Sequence, residues 1–322
     1  MGPAFSVVMP AFNAAAFIRD ALAALAAAAD TDRLEQVIIV DDASQDATAA
    51  LAERALGEFK LPGVVLRNAS NLGASAARAR GFACVESPLI ACVDADDLCA
   101  LNRFADPLRR LDDPRVQLVG GDLVMFADPR FPPAHGHLPF SSDHRIRMPT
   151  RGEDIAAALV FHCPIYASTM TFRRSALEAI RLPRTRVGED WLFAHRIVQA
   201  FGPAAVANTG SVLMRYRRHA GQLTRNAFLD NTPVYPVWEE ILRAALELRA
   251  TAAELALHAK FSPPSGKPAP SAAEWRRWQA WSTKLEAAAQ TADYVPAAMR
   301  RALVRIRAEL ESLRLEEPES AL

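Results

Sequence analysis

Four short apolar runs, residues 5–9 (FSVVM), 37–40 (VIIV), 64–67 (VVLR) and 89–93 (LIACV), alternate with stretches of helical character. No other feature restricts the fold as strongly. Runs without polar alternation are buried on both faces, and strands that alternate with helices build a parallel sheet covered on both sides. Residues 14–29, 44–54 and 73–84 read as the covering helices. Asn13 is available to cap the first, and Ser44 and Asp46 the second. The fold class is therefore α/β, a Rossmann-like, mostly parallel sheet with helices on both faces.

The rest of the chain is less regular. Residues 116–126 enter a further strand or strand pair, and 128–151, rich in Pro, His and Ser, read as a long loop. A strand over 167–172, a helix over 191–200 and a strand within 206–216 follow. Beyond residue 230 the character is helical: Trp238, Leu242, Ala245, Leu248, Ala252 and Leu255 recur at helical spacing. Residues 262–271 (SPPSGKPAPS) have the composition of a linker. Trp275, Trp278 and Leu285 mark another amphipathic helix. Met299, Leu303, Ile306, Leu310 and Leu313 then alternate in steps of four and three, a coiled-coil seam of about two heptads. These boundaries predict a domain over 1–230 and a helical extension over 231–322.

Composition narrows the classes of partner. Apolar residues make up 51% of the 322, enough for a sizeable core. Lys plus Arg and Asp plus Glu both number 37, so net charge gives no case for nucleic acid or an anionic membrane. The N-terminus lacks a signal-peptide pattern, and no run approaches the about 18 apolar residues of a spanning helix. Cys84, Cys92, Cys99 and Cys163 show no paired spacing, which suggests reduced thiols and not a metal or redox site. The expectation is a cytoplasmic protein, with the inner face of the membrane as a second location.

Ligands of an open parallel sheet sit beyond the carboxyl ends of its strands. The first run leads to Pro10-Ala11-Phe12-Asn13, the second to Asp41-Asp42-Ala43-Ser44. The third leads to Asn71-Leu72-Gly73-Ala74-Ser75, with Arg78 and Arg80 in the next helix, and the fourth to Asp94-Ala95-Asp96-Asp97. Three aspartates in four residues repel one another unless a cation compensates. Carboxylate oxygens suit Mg²⁺ or Mn²⁺, which also take phosphate oxygens. The pattern reads as a site for a metal-bound diphosphate. A solvated acidic turn explains an isolated Asp-x-Asp as well, but here the other strand ends converge on it.

At these positions the chain resembles the family 2 glycosyltransferases of GT-A fold. VVMPAFN (residues 7–13) is similar to the family's first strand and turn, and VDDAS (40–44) to its Val-Asp-Asp-Gly-Ser. NLGASAARARG (71–81) resembles its Asn-x-Gly-x-Ser-x-Ala-Arg-Asn-x-Gly, and VDADD (93–97) its Asp-x-Asp element. Ala43 stands where the family has glycine, and Ala79 where it has asparagine. The likeness fades by about His219.

The resemblance implies a nucleotide-sugar site of Pro10, Ala11, Asn13, Asp42, Arg78, Asp94 and Asp96. Pro10 and Asp42 would hold the base, often uracil, Arg78 the nucleotide, and Asp94 the ribose and diphosphate. Asp96 and Asp97 would face Mn²⁺ or Mg²⁺. Glu189-Asp190 resembles the family's Glu-Asp pair, with Asp190 as the catalytic base; the pair also suits a helix N-terminus through its dipole. Arg215-Tyr216-Arg217-Arg218-His219 is similar to the closing segment. There His219 would be a metal ligand and Arg217 or Arg218 would neutralise phosphate, although a basic strand end explains them equally. His135 and His137 read as loop residues.

The implied function is inverting transfer of a sugar, best from a UDP-sugar, to a hydroxyl of a glycan, a lipid-linked sugar or a protein, as in bacterial surface glycan synthesis. A nucleotidyltransferase would carry a Gly-rich loop after the first strand, where this chain has Pro10-Ala11-Phe12-Asn13. The other reading is a degenerate nucleotide-sugar binding or scaffold protein that acts through its tail. The helical extension itself reads as an interaction module: a homodimer seam, a docking surface for a protein, or a peripheral membrane contact through its tryptophans.

Overall fold

The computed structural model describes residues 2–28, 32–128, 130, 143–183, 185, 187–219, 221–222, 234–262 and 269–316. His135, His137 and most of the expected 128–151 loop lie outside these, as does most of the 262–271 linker. The four apolar runs become β1 (Phe5–Ala11), β2 (Leu34–Asp41), β3 (Gly63–Arg67) and β4 (Leu89–Cys92), all parallel, in the order β3-β2-β1-β4. The helices between them are α1 (Ile18–Ala28), α2 (Thr48–Glu58) and α3 (Ala74–Phe82).

Beyond β4 the sheet turns mixed. The two-residue β5 (Leu98–Cys99) and α4 (Ala105–Arg110) precede the long β6 (Leu118–Ala127). Then come β7 (His144–Ile146), α5 (Gly152–Leu159), β8 (Thr171–Arg173), α6 (Ala176–Ala179), α7 (Glu189–Phe201) and β9 (Val206–Arg218). The order continues β4-β8-β6-β9-β5, with β6 and β9 parallel and the other pairs antiparallel.

Side chains of β1 alternate between two cores. Phe5, Val7 and Met9 face α1, α2 and α4, while Val8 faces α3, α5 and α7. Helix α3 comes so close to β1 that a Cβ on Gly81 would lie 2.4 Å from Val8 Cγ1.

Several boundaries differ from expectation for identifiable reasons. Helix α1 starts at Ile18 because the amides of residues 13–15 are taken across the loop, by Ser44 Oγ (2.9 Å), Thr48 Oγ1 (2.7 Å) and Asp46 Oδ2 (3.1 Å). Asn13 therefore caps nothing; it has φ 48° and accepts from Gln45 N. Ser44 is used on Asn13, and α2 starts at Thr48, whose amide Asp46 Oδ1 accepts at 3.0 Å. The strand expected over 167–172 is a 3-10 turn, Ala167–Thr169, followed by β8. Inside the expected 128–151 loop, β7 pairs with β6.

The tail forms α8 (Tyr235–Leu246), α9 (Ala252–Phe261), α10 (Ala272–Thr291) and α11 (Pro296–Glu316). Its apolar faces belong to the same cluster as Val8, α5 and α7. Met299, Leu303, Ile306 and Leu310 are buried within this chain, so the seam already has a partner surface. No helix among the described residues is long and apolar enough to cross a membrane, and all four cysteines are unpaired.

Because Val8 is β-branched and boxed in, Gly81→Ala has no room to relax. The expected loss is about 1–3 kcal/mol, as for other overpacked sites. Urea unfolding with an unchanged midpoint would contradict the close approach of α3.

Candidate active site

The loops after β1 and β2 clasp each other. Asp42 N donates to Ala11 O at 2.8 Å, and Asn13 exchanges bonds with Ser44 and Gln45. Pro10 and Ala11 are buried in β1 and present backbone, while Phe12 and Asn13 stand exposed at the rim. Phe12 was absent from the sequence-derived residues. Its signal was an aromatic ring in a turn, where burial is not expected.

Asp42 is buried, and its carboxylate organises the neighbouring loop. It accepts from Asn68 Nδ2 (2.5 Å), Leu72 N (3.0 Å) and Gly73 N (2.7 Å). Three donors on one carboxylate fix the 68–73 turn from which α3 begins. Asp41 similarly takes Ser44 N and Arg67 Nε.

The acidic turn after β4 splits into three different environments. Asp94 accepts from Arg78 Nη2 at 2.5 Å. Asp96 places Oδ2 3.0 Å from His219 Nε2, and the His219 ring packs on Phe17 with centroids 4.4 Å apart. Asp97 does not join them. It is fully buried, accepts from Arg217 N at 2.9 Å, and its other oxygen has no hydrogen-bond partner among the described residues. Burial, then Asp96 and Asp94, push its carboxyl well above the usual range. Asp97 was expected to face the metal; its side chain lies in the core, where the Arg217 amide of β9 holds it.

A short ladder brings Asp96 and His219 together across the sequence. Leu98 and Cys99 of β5 pair antiparallel with Arg215 and Met214 of β9. Arg217 extends this pairing, its amide on Asp97 and its Nε on Asp96 O at 2.8 Å. The rest of the Arg217 guanidinium points into the protein. It is buried, paired with Asp128, and lies over Phe17 and Phe126. Arg218, the other residue expected at a phosphate, is buried too, and burial lowers its pKa.

On the other side, Gly188 adopts φ 77° and starts α7, so Glu189 and Asp190 occupy its first turn. Arg78, only 8% exposed, reaches both Asp94 and Glu189. Burial opposes its charge, but Asp94 and then Glu189 more than offset this and raise its pKa. Two carboxylates share that one cation. Burial therefore wins at Glu189, which is pushed up to about 7 against the pull of Arg78. Burial also raises Asp190, opposed by Arg78 and by the amides of Ala167 (2.9 Å) and Trp191 (2.9 Å). A small recess of about 30 Å³ lies against Arg78, Glu189, Asp190, Ala167, Phe82 and Phe193.

Among the described residues, no three His, Cys, Asp or Glu side chains form a metal cage. The Asp96–His219 pair nonetheless suits Mn²⁺ or Mg²⁺ as a partial site. The carboxylate oxygen suits either ion and the imidazole nitrogen suits Mn²⁺ better than Mg²⁺; both ions fill their remaining positions with water and substrate phosphates.

Residues 6–181 match glycosyl transferase family 2, more than half of the chain, and the protein belongs to that family of glycosyltransferases. Its fold is GT-A, shared with solved structures at low identity. The 1–349 region of TarS from S. aureus, in complex with UDP-GlcNAc, is 19% identical with TM-score 0.58, covering 98% of this chain and 93% of that one. Mannosyltransferase PcManGT from Pyrobaculum calidifontis, with GDP-Man and Mn²⁺, is 18% identical with TM-score 0.53, covering 98% and 89%. Glucosyl-3-phosphoglycerate synthase from Mycobacterium tuberculosis, with Mn²⁺, UDP-Glc and phosphoglyceric acid, is 17% identical with TM-score 0.51, covering 76% and 80%. No curated protein matches the chain at the sequence level.

Glu189 makes stability depend on pH in a predictable direction. Its pKa rises from 4.5 to about 7 on folding, so the folded state holds the extra proton between those values. Stability then falls as pH rises through this window. Glu189→Gln should flatten that slope, read as urea midpoints at pH 5 and pH 8. An identical slope in the variant would show that Glu189 titrates normally.

Proposed function

We propose that the protein transfers a sugar from a nucleoside-diphosphate donor, best a UDP-sugar, to an acceptor hydroxyl with inversion at the anomeric carbon. The observation that carries this reading is the division of the site. A metal-suited Asp96–His219 pair lies on one side and a carboxylate pair on a helix start on the other, joined through Asp94–Arg78–Glu189.

Asp190 is the base in this reading. Its carboxylate is oriented by two backbone amides and raised by burial, so it has more affinity for a proton than an exposed aspartate. It would take the proton of the attacking hydroxyl as the bond to the anomeric carbon forms. One base and no covalent intermediate give inversion. Arg78 keeps Asp94 and Glu189 in place and limits repulsion among the three carboxylates. Exposed Phe12 offers an apolar face at the rim of the donor side, next to the clasp that holds Asp42.

Asp96 and His219 would hold Mn²⁺ or Mg²⁺. When bound, the metal supplies positive charge to a leaving diphosphate. Two of the three structures described above contain uridine nucleotides, which supports uracil over guanine. The acceptor class includes a growing bacterial surface glycan, a lipid-linked sugar or a protein hydroxyl.

Calorimetry tests the donor half. UDP should bind more tightly with Mn²⁺, and Asp96→Ala should remove that gain. Equal UDP affinity with and without Mn²⁺ would reject the metal role.

Steady-state transfer tests the acceptor half. Asp190→Asn should lower the rate by about 10² to 10⁴, the usual contribution of a general base, with UDP affinity little changed. Near-normal transfer by that variant would refute the assignment.

A further inference from the structure

The end of α5 is capped in an unusual way. The last carbonyls of a helix have no partner within it and need donors from elsewhere. Here Ala157 O and Ala158 O take the amides that follow the helix, while Ala156 O, Leu159 O and the next two carbonyls take side chains from other elements. Tyr294 Oη donates to Ala156 O at 3.0 Å, and Trp191 Nε1 to Leu159 O at 2.7 Å. His258 Nε2 meets Val160 O at 2.8 Å, and Trp238 Nε1 donates to Phe161 O at 3.3 Å. Three of the four donors, Tyr294, His258 and Trp238, come from the helical tail.

His258 is fully buried, and its tautomer follows from its neighbours. Trp281 Nε1 approaches His258 Nδ1 at 3.0 Å, and an indole nitrogen only donates. Nδ1 therefore accepts, the ring is neutral, and Nε2 carries the hydrogen given to Val160 O. The ring also stacks on Phe161 and meets the edge of Trp238, while Trp238 packs edge-on against Trp191.

The capped segment leads directly to the carboxylate pair. After Phe161 the chain runs without regular structure to the 3-10 turn, its carbonyls again taken by side chains. Asn208 Nδ2 holds Pro164 O at 3.0 Å, Cys163 Sγ holds Ile165 O at 3.2 Å, and Thr169 Oγ1 holds Tyr166 O at 2.8 Å. The next amide, Ala167 N, grips Asp190 Oδ2 at 2.9 Å.

We propose that the helical tail is a brace for the acceptor-side carboxylate: His258 and Trp238 hold the carbonyls of Val160 and Phe161, and so the turn whose Ala167 amide orients Asp190. His258 is a positioning residue and touches no substrate. The role of the brace in turnover rests on Asp190 being the base; its role in ordering residues 160–170 does not.

The experiment compares the full chain with His258→Phe, His258→Gln and Trp281→Phe. Phenylalanine keeps the stacking and loses both hydrogen bonds. Glutamine retains a donor and an acceptor. Trp281→Phe keeps the apolar ring and removes only the hydrogen that fixes the His258 tautomer. Three quantities are read: amide deuterium exchange of residues 160–170, UDP affinity with Mn²⁺, and turnover of UDP-GlcNAc as the donor probe.

In His258→Phe, exchange in 160–170 should quicken by about tenfold or more, as for a locally released segment. UDP affinity should stay within about twofold, because no donor-side contact changes. Turnover should fall by about tenfold to a hundredfold, and His258→Gln should restore most of it. A folded His258→Phe with wild-type exchange in 160–170 would overturn the brace. So would faster exchange throughout the chain together with lost UDP affinity, which marks general destabilisation. If His258→Phe does not fold, Trp281→Phe decides on the same readings. Asp190→Asn is run alongside: if it keeps wild-type turnover the base reading falls, and the exchange data still judge the brace on their own.

Discussion

Arg78 is the interaction on which the arrangement of the site depends. Three carboxylates, Asp94, Glu189 and Asp190, approach one another in a largely desolvated space. A buried cation offsets part of the cost of bringing them together. The guanidinium supplies that cation, and its planar fork lets it serve Asp94 and Glu189 at the same time. Its placement has structural prerequisites. Helix α3 must start where Asp42 fixes the 68–73 turn, and Gly81 must let the helix approach β1. A second tie, Ser75 Oγ to Pro183 O at 2.9 Å, holds the same helix to the segment before α7. The two halves of the site are thus fastened by side chains of one nine-residue helix.

A different buried cation supports the acidic turn from behind. Arg103 is fully buried and directs its guanidinium at Ser168 O, Thr171 Oγ1, Cys92 O and Met170 O. These bonds tie the end of β4 to the 3-10 turn and β8. Burial lowers the Arg103 pKa, as burial raises that of Asp97 in the same region. Arg103 and Asp97 act on the backbone, fixing where Asp94 and Asp96 emerge.

How much of this was legible in the sequence follows the range of each interaction. The parallel half of the sheet was, because each strand is a local apolar run and each helix a local pattern. Asp94, Asp96, Arg78 and the Glu189–Asp190 pair were legible as motifs. The side on which Asp97 points was not, since it is set by the Arg217 amide, far away in the chain. Strand β5 was missed because two residues carry no periodicity; only its ladder with β9 defines it. The tail's helices were read correctly as amphipathic, but periodicity cannot say which surface an apolar face covers. The partner proved to be α5 and α7 of the same chain.

The carboxylate pair shows why such a site needs support from so many directions. The start of α7 favours negative charge through its dipole and free amides, while burial disfavours it. Asp190 lies between these effects, and small displacements shift the balance. Moving the Ala167 amide away by an ångström or two would weaken a bond that is stronger to the charged form. The turn bearing that amide is irregular backbone inside the protein, where every unpaired carbonyl is costly. Side-chain donors from β9 and from the tail meet that need at Val160, Phe161 and Pro164. Regular hydrogen bonding within α5 cannot do so, because the helix has already ended. The orientation of one aspartate is therefore tied to tryptophan and histidine side chains that do not touch it.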